Sequence, residues 1–143
     1  MADPTFAVTV IDTGSPHFVT FTTPNGMLAY TFTGIVLIDF KGTGPDIFRT
    51  SLQFSIPIPG LSPGQGLKLF NWAPFVTLSA ISNDGPAIDA LWAVDEFSID
   101  SPERALPTVA VNCKLAVRDI DGRILRLSYV VQVLGSVEPA FHV

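Results

Sequence analysis

The stretch that decides the fold is residues 108–134, TVAVNCKLAVRDIDGRILRLSYVVQVL. Apolar side chains occupy every second position on both sides of an Asp-Ile-Asp-Gly turn at 119–122, which is typical of strands with one buried face. A two-residue turn would set Val117 opposite the polar Arg126. A three-residue loop pairs Val117 with Leu125 instead and keeps one face of the pair apolar. The stretch therefore predicts two long strands joined as a hairpin.

A second hairpin is predicted around Asn25–Gly26, a residue pair that favours a two-residue type I′ loop. That loop pairs Phe21 with Tyr30. The return strand, Leu28–Phe40, keeps its apolar parity except at Gly34. A glycine in such a row indicates a bend or the close approach of another backbone.

Further segments alternate in the same way and complete an all-β pattern. They are Phe6–Asp12, His17–Thr23, Phe48–Ile56, Phe75–Ile81 and Ile88–Asp100. The apolar parity of the last segment changes at Asp95–Glu96, which predicts a β-bulge there. The Pro- and Gly-rich segment Pro57–Gly66 is the longest loop candidate, and it suits a chain that crosses between two sheets.

The length and composition fit one folded domain over residues 1–143. The chain is 48% hydrophobic and 15% charged, against about 25% charged in ordinary soluble domains. The mean hydropathy of +0.43 excludes intrinsic disorder. About eight strands with regular turns predict an antiparallel β-sandwich, jelly-roll-like, with a small β-barrel as the alternative.

Charge and cysteine content exclude several classes of function. A net charge of −5 argues against a nucleic-acid partner. One cysteine excludes a disulfide scaffold and a multi-cysteine zinc site. The first residues lack the pattern of a signal peptide. No apolar run comes near the length of a transmembrane helix, which needs about 18 apolar residues or more. We therefore expect cytoplasmic synthesis or leaderless export.

Catalytic motifs are missing from the sequence, which favours a non-enzymatic protein without a cofactor or metal. His17 begins a strand and His142 lies in the tail, so neither is a good candidate base. The hairpin register places Cys113 opposite Tyr129 on the apolar face, where a thiol behaves as a small hydrophobe. There is no glycine-flanked serine elbow and no phosphate-binding loop. The acidic residues at 119 and 121 suit a turn better than a calcium loop.

A small set of polar and aromatic residues is the best candidate for ligand binding. Asn71 and Trp72 precede Pro74 outside the clean alternation, so we place them in a loop. An aromatic ring beside an amide there either carries a sugar or packs in the core or at an interface. Asp95 and Glu96 lie at the expected bulge, which could re-aim their carboxylates. The full candidate set is Asn71, Trp72, Asn83, Asp84, Asp95 and Glu96. The other tryptophan, at position 92, shares the parity of apolar neighbours and is assigned to the core.

Several strands carry uncharged residues on the face that is expected to be exposed to solvent. The residues concerned are Ala29, Thr31, Thr33, Ile35 and Leu37 on one strand, and Ile124, Val130 and Leu134 on another. Long neutral strands invite pairing with other chains unless they are covered. We therefore expect a homo-oligomer that buries the excess.

These observations lead to one main hypothesis and two alternatives. The main one is a non-enzymatic, oligomeric binding or assembly module whose ligand is a carbohydrate or a protein surface. The order of strands in the C-terminal half resembles that of oligomeric lectin-like sandwiches, in architecture alone. The alternatives are a small barrel that holds a hydrophobic ligand or catalyses a cofactor-free isomerisation or cyclisation, and a structural component of a virion or particle.

Overall fold

The computed structural model describes residues 10–42, 44–83, 91–118 and 122–140. These residues form strands in two antiparallel sheets, which confirms the predicted all-β sandwich. The strands are β1 (Val10–Asp12), β2 (His17–Thr22), β3 (Leu28–Lys41), β4 (Phe48–Pro57), β5 (Gln65–Asn83), β6 (Leu91–Ile99), β7 (Thr108–Arg118) and β8 (Gly122–Pro139).

The chain moves back and forth between the two sheets. The five-stranded sheet has the order β3-β8-β5, with β1 and β2 following one another along the free side of β3. The three-stranded sheet has the order β4-β7-β6. Four connections, from β3 to β4, β4 to β5, β5 to β6 and β7 to β8, cross between the sheets, whereas β6 and β7 follow one another within the three-stranded sheet. The crossing after Pro57 was predicted.

The predicted β7–β8 hairpin is wrong. β7 pairs with β4 and β6, whereas β8 pairs with β3 and β5, so Val117 and Leu125 are not ladder partners. The two strands present their apolar faces to each other across the sandwich, and Cys113 and Tyr129 belong to opposite walls of one core. A period of two residues identifies the buried face of a strand but not the strand beside it. The turn at 119–121 lies outside the described residues.

The β2–β3 hairpin is present, but its register is shifted by one residue. Phe21 lies opposite Ala29 rather than Tyr30. Among the residues of this loop, only Gly26 takes a left-handed φ, of 86°, and its N–H donates to the carbonyl of Thr23 at 2.9 Å. Pro24 fixes φ at the second position of this ordinary turn, so the loop closes with three residues instead of two.

β5 and β6 differ from the predictions in extent. β5 includes the stretch that we assigned to a loop, and Asn71 and Trp72 lie opposite Leu134 and Val133 of β8. The proline at position 74 suggested a break, but β5 is an edge strand, where proline is tolerated. The bulge in β6 is confirmed, because the register shifts between residues 95 and 98. The predicted beginnings of the first and sixth strands, residues 6–9 and 88–90, lie outside the described residues.

One apolar core fills the space between the sheets. Aromatic rings join the two layers: the centroids of Phe54 and Tyr129 lie 5.1 Å apart. The ring of Tyr129 also fills the gap at Gly34, where a Cβ would come within 2.5 Å of its hydroxyl oxygen. Trp92 packs against the core as predicted. Irregular pairing at the start of β8 buries Ile124, which we expected to be wet, and leaves Leu125 partly exposed.

Candidate binding surfaces

The exposed apolar side chains fall on one sheet. Within the described ranges, every exposed large hydrophobic residue belongs to a strand of the five-stranded sheet. They are Ile11, Phe18, Val19, Phe21, Ile35, Phe70, Trp72, Phe75, Ile81, Val130 and Val137. Single exposed apolar residues are normal, but a cluster on one surface indicates an interaction site.

The strand register places five of these residues on the outer face of the five-stranded sheet, the side away from the core: Val19, Phe21, Ile35, Phe75 and Val130. Four others lie opposite buried residues of the inner side: Phe18, Trp72, Ile81 and Val137. One row crosses the sheet through His17, Thr33, Val130 and Phe75. A parallel row runs through Phe21, Ala29, Leu134 and Asn71. We use the name outer face for this surface of β2, β3, β8 and β5.

The middle of the outer face carries no formal charge. The segments that cross it are His17–Thr22, Leu28–Ile38, Leu69–Asn83 and Leu127–Val137, and none contains Asp, Glu, Lys or Arg. Charge lies at the ends of these segments. Arg126 precedes Leu127, and its Nε donates to Oγ of Ser79 at 3.0 Å. Nη1 of Arg123 lies 3.7 Å from an oxygen of the carboxylate at position 39.

The outer side of the three-stranded sheet has the opposite character. An open depression of about 720 Å³ lies on β4, β7 and β6. Its lining residues are Ser51, Leu52, Gln53, Glu96, Phe97, Ser98, Asn112, Cys113 and Lys114. Amide, hydroxyl and charged groups supply its polar atoms, and we call it the polar depression.

Neighbouring strands link the polar groups of this depression in pairs. Nε2 of Gln53 donates to Oδ1 of Asn112 at 2.9 Å. Nζ of Lys114 lies 2.7 Å from Oε2 of Glu96, and both side chains are more than half exposed. Glu96 has a left-handed φ of 54°, unusual for a residue other than glycine, because the bulge turns the backbone there. Such backbone strain is often found at binding sites.

The structure separates the candidate residues into two groups. Asn71 and Trp72 are exposed on β5, and Asn83 lies at the end of that strand, opposite Gly122. Asp95 and Glu96 lie on β6 in the other sheet, where Glu96 lines the polar depression. Asp84 lies outside the described residues. A ring contact between residues 75 and 97, with centroids 5.8 Å apart, joins β5 and β6.

Sequence reasoning missed most of the polar depression. Gln53, Asn112 and Lys114 occupy the wet positions of regular strands, where polar residues are expected in any sheet. Only the three-dimensional pairing of β4, β7 and β6 brings them next to Glu96. The single available signal was the parity change at the bulge.

Burial removes the nucleophilic character of the cysteine. Burial, with a smaller effect of the Asp95 carboxylate, raises the pKa of Cys113 from 9.0 to about 12. Burial also raises the pKa of Tyr129 and of Tyr30 above the ordinary value, and a hydrogen bond with Thr20 opposes the rise for Tyr30. All three groups therefore stay protonated at neutral pH.

The described ranges contain no group of three or more His, Cys, Asp or Glu residues placed to hold a metal ion. Nor do they contain a helix of the length and apolar character that crossing a membrane requires.

Comparisons of the chain with protein-family models, curated proteins and solved structures gave no match.

Proposed function

We propose that the protein is a non-enzymatic assembly module that associates with copies of itself through the outer face of the five-stranded sheet. The observation that supports this proposal is the clustering of exposed apolar residues on an uncharged face. Apolar surface removed from water contributes about 25 cal/mol per Å², so covering such a face favours association. A surface that pairs with its own copy around a two-fold axis needs no second protein.

Formal charge also distinguishes this face from the rest of the molecule. Bringing two charged surfaces together costs desolvation and repulsion. The segments that cross the outer face carry neither sign, so two copies can approach without removing an ion from water. Threonine, serine and glutamine between the apolar residues can exchange hydrogen bonds with water for hydrogen bonds across the interface.

The oligomeric mass in solution tests this proposal. Light scattering during size-exclusion chromatography should give a multiple of the 15.4 kDa chain mass at micromolar concentration. Val130→Lys places a charge in the middle of the outer face and should halve that mass. Ser55→Lys adds the same charge to an exposed position of β4 and should leave the mass unchanged. A wild-type mass of one chain would refute the proposal.

The same preparation separates the two alternatives. Electron microscopy of large regular particles would favour a virion or particle component over a closed oligomer. An apolar small molecule in the native mass spectrum would favour a protein that holds a hydrophobic ligand.

The polar depression supports a second candidate function, carbohydrate binding. Its amide, hydroxyl and carboxylate groups match the donors and acceptors of sugar hydroxyls, and its width covers three strands. This candidate uses Glu96 of the predicted set and leaves Asn71 and Trp72 on the other sheet.

A glycan array tests this second function with matched variants. If the sugar binds in the polar depression, Gln53→Ala and Glu96→Gln should each lower the signal about tenfold or more, and Trp72→Ala should not. The reverse pattern would place the sugar on β5. The absence of any saccharide signal would remove this function.

A further inference from the structure

The edge formed by β2 lacks the usual protection against pairing with another strand. In the part of the chain that the structure describes, β2 pairs with β3 alone. All six of its residues are exposed, and none carries a formal charge. Natural sheets usually protect such an edge with charged residues or a bulge. β2 instead consists mainly of aromatic and β-branched residues, which favour strand pairing.

The hairpin geometry identifies the backbone groups on the free side of this edge. The N–H of Thr23 donates to the carbonyl of Met27 at 2.8 Å, so this pair is hydrogen-bonded. Hydrogen-bonded pairs alternate along an antiparallel ladder, so the odd-numbered residues of β2 bond to β3. The N–H and C=O groups that point away from β3 are those of Phe18, Thr20 and Thr22.

Two prolines limit this free edge. Pro16 and Pro24 occupy the next even-numbered positions on either side, and proline has no N–H to donate. The edge therefore offers three donors centred on Thr20. A second β2 in antiparallel orientation, with Thr20 opposite Thr20, pairs all three donors and all three carbonyls of each copy. A shift of two residues either way sets a proline opposite Thr22 or Phe18, whose carbonyl then receives no N–H.

The same register also pairs the exposed apolar side chains. Directly opposed residues of antiparallel strands lie on the same face, so the outer faces of the two copies become continuous. Val19 then lies opposite Phe21 of the partner subunit at a non-hydrogen-bonded position, where side chains approach most closely. In the single chain, these two residues are 71% and 64% exposed.

We propose that β2 pairs antiparallel with the β2 of a second copy, with the two Thr20 residues facing each other across a two-fold axis. Two five-stranded sheets then form one ten-stranded sheet. This inference rests on the proposed self-assembly and specifies one of its contacts.

Cysteine cross-linking tests the register. The two Thr20 Cα atoms would lie about 5.5 Å apart, within the range that a disulfide spans. Under mild oxidation, Thr20→Cys should form a covalent dimer. Val19→Cys and Phe21→Cys should not do so alone, but an equimolar mixture of the two should. The buried Cys113 leaves the background low. Efficient cross-linking of Val19→Cys alone, without that of Thr20→Cys, would overturn the proposed register.

A proline substitution tests the contact itself. Thr20→Pro removes an N–H that points away from β3, so it spares the hairpin ladder while it blocks the edge. We expect the oligomeric mass to halve, with the circular dichroism spectrum of the folded protein retained. Thr20→Ala removes only the hydroxyl and should keep the mass. A wild-type oligomer unchanged by Thr20→Pro would overturn the edge contact alone, whereas a monomeric wild type would also overturn the proposed function.

Discussion

The two sheets of this sandwich have similar inner faces and different outer faces. Both inner faces are apolar and contribute fully buried residues to one core, such as Leu115 on β7 and Leu127 on β8. The outer side of the three-stranded sheet carries a lysine, a glutamate and amides around the polar depression. The middle of the outer face of the five-stranded sheet carries no formal charge and exposes phenylalanine and valine.

This difference separates the requirements of folding from those of function. Burial of the inner faces explains why the chain folds. That burial does not depend on which polar residues occupy the outer sides of the two sheets. The uncharged outer face adds nothing to that core, so its composition needs another explanation, which the proposed self-association would provide.

The largest effect should come from the core, and it should be the same for both sheets. Leu115→Ala and Leu127→Ala each remove a side chain that is at most 1% exposed. Each should lower the free energy of unfolding by about 2–5 kcal/mol, as for other buried leucines. Urea unfolding at one protein concentration measures both. If the free energy of unfolding fell less than half as much in one variant as in the other, the two inner faces would not contribute equally to one core.

Alkaline pH should destabilise the core from both sides, beginning with the three-stranded sheet. The pKa of Cys113 is raised from 9.0 to about 12, so its contribution is complete below pH 9 and is lost as the pH rises towards 12. Above pH 9, the free energy of unfolding should fall by about 1.4 kcal/mol per pH unit.

The variant Cys113→Ala separates this contribution from that of the tyrosines. The raised pKa values of Tyr30 and Tyr129 act in the same direction, but only above their ordinary value of 10.0. The free energy of unfolding of the variant should therefore stay constant between pH 9 and 10, where that of the wild type already falls. An equal slope in both proteins over that interval would contradict the prediction.

The sequence predicted the class of fold and the buried face of most strands, because alternation records burial directly. β3 follows its predicted parity from Tyr30 to Phe40, and the β6 bulge lies at its predicted site. Partner strands were harder to predict. Neighbouring strands in a sequence usually pair, but here the connection after Arg118 crosses the sandwich, and no local signal distinguishes the two outcomes.

The binding surfaces were predicted less completely than the fold. The neutral character of the outer face could be predicted from Ala29–Leu37. The width of that face could not, because it depends on β2, β8 and β5 lying in one sheet with β3. The polar depression combines residues from three strands, of which only Glu96 had a local signal. Trp72 shows the converse error, because Pro74 suggested a loop where an edge strand tolerates proline.

A charge on the outer face should alter the concentration dependence of thermal unfolding. Association stabilises the folded chain by mass action, so a tenfold dilution should lower the wild-type Tm by a few degrees. Ile35→Lys, on the outer face, should weaken this dependence, because only the contact between β2 strands remains, and Ser55→Lys, on the three-stranded sheet, should retain it in full. A wild-type Tm independent of concentration from micromolar to millimolar would contradict the prediction.

The smallest effect should come from the bulge beside the polar depression. Glu96→Gly relieves a left-handed φ of 54° and removes the ion pair with Lys114. The strain costs about 1 kcal/mol, whereas an exposed pair contributes about 0–1 kcal/mol. The glycine variant should therefore be as stable as the wild type or up to about 1 kcal/mol more stable in urea unfolding. Lys114→Ala, which removes the pair and keeps the strain, should be equal or slightly less stable. A glycine variant less stable than Lys114→Ala would mean that no strain is stored at the bulge.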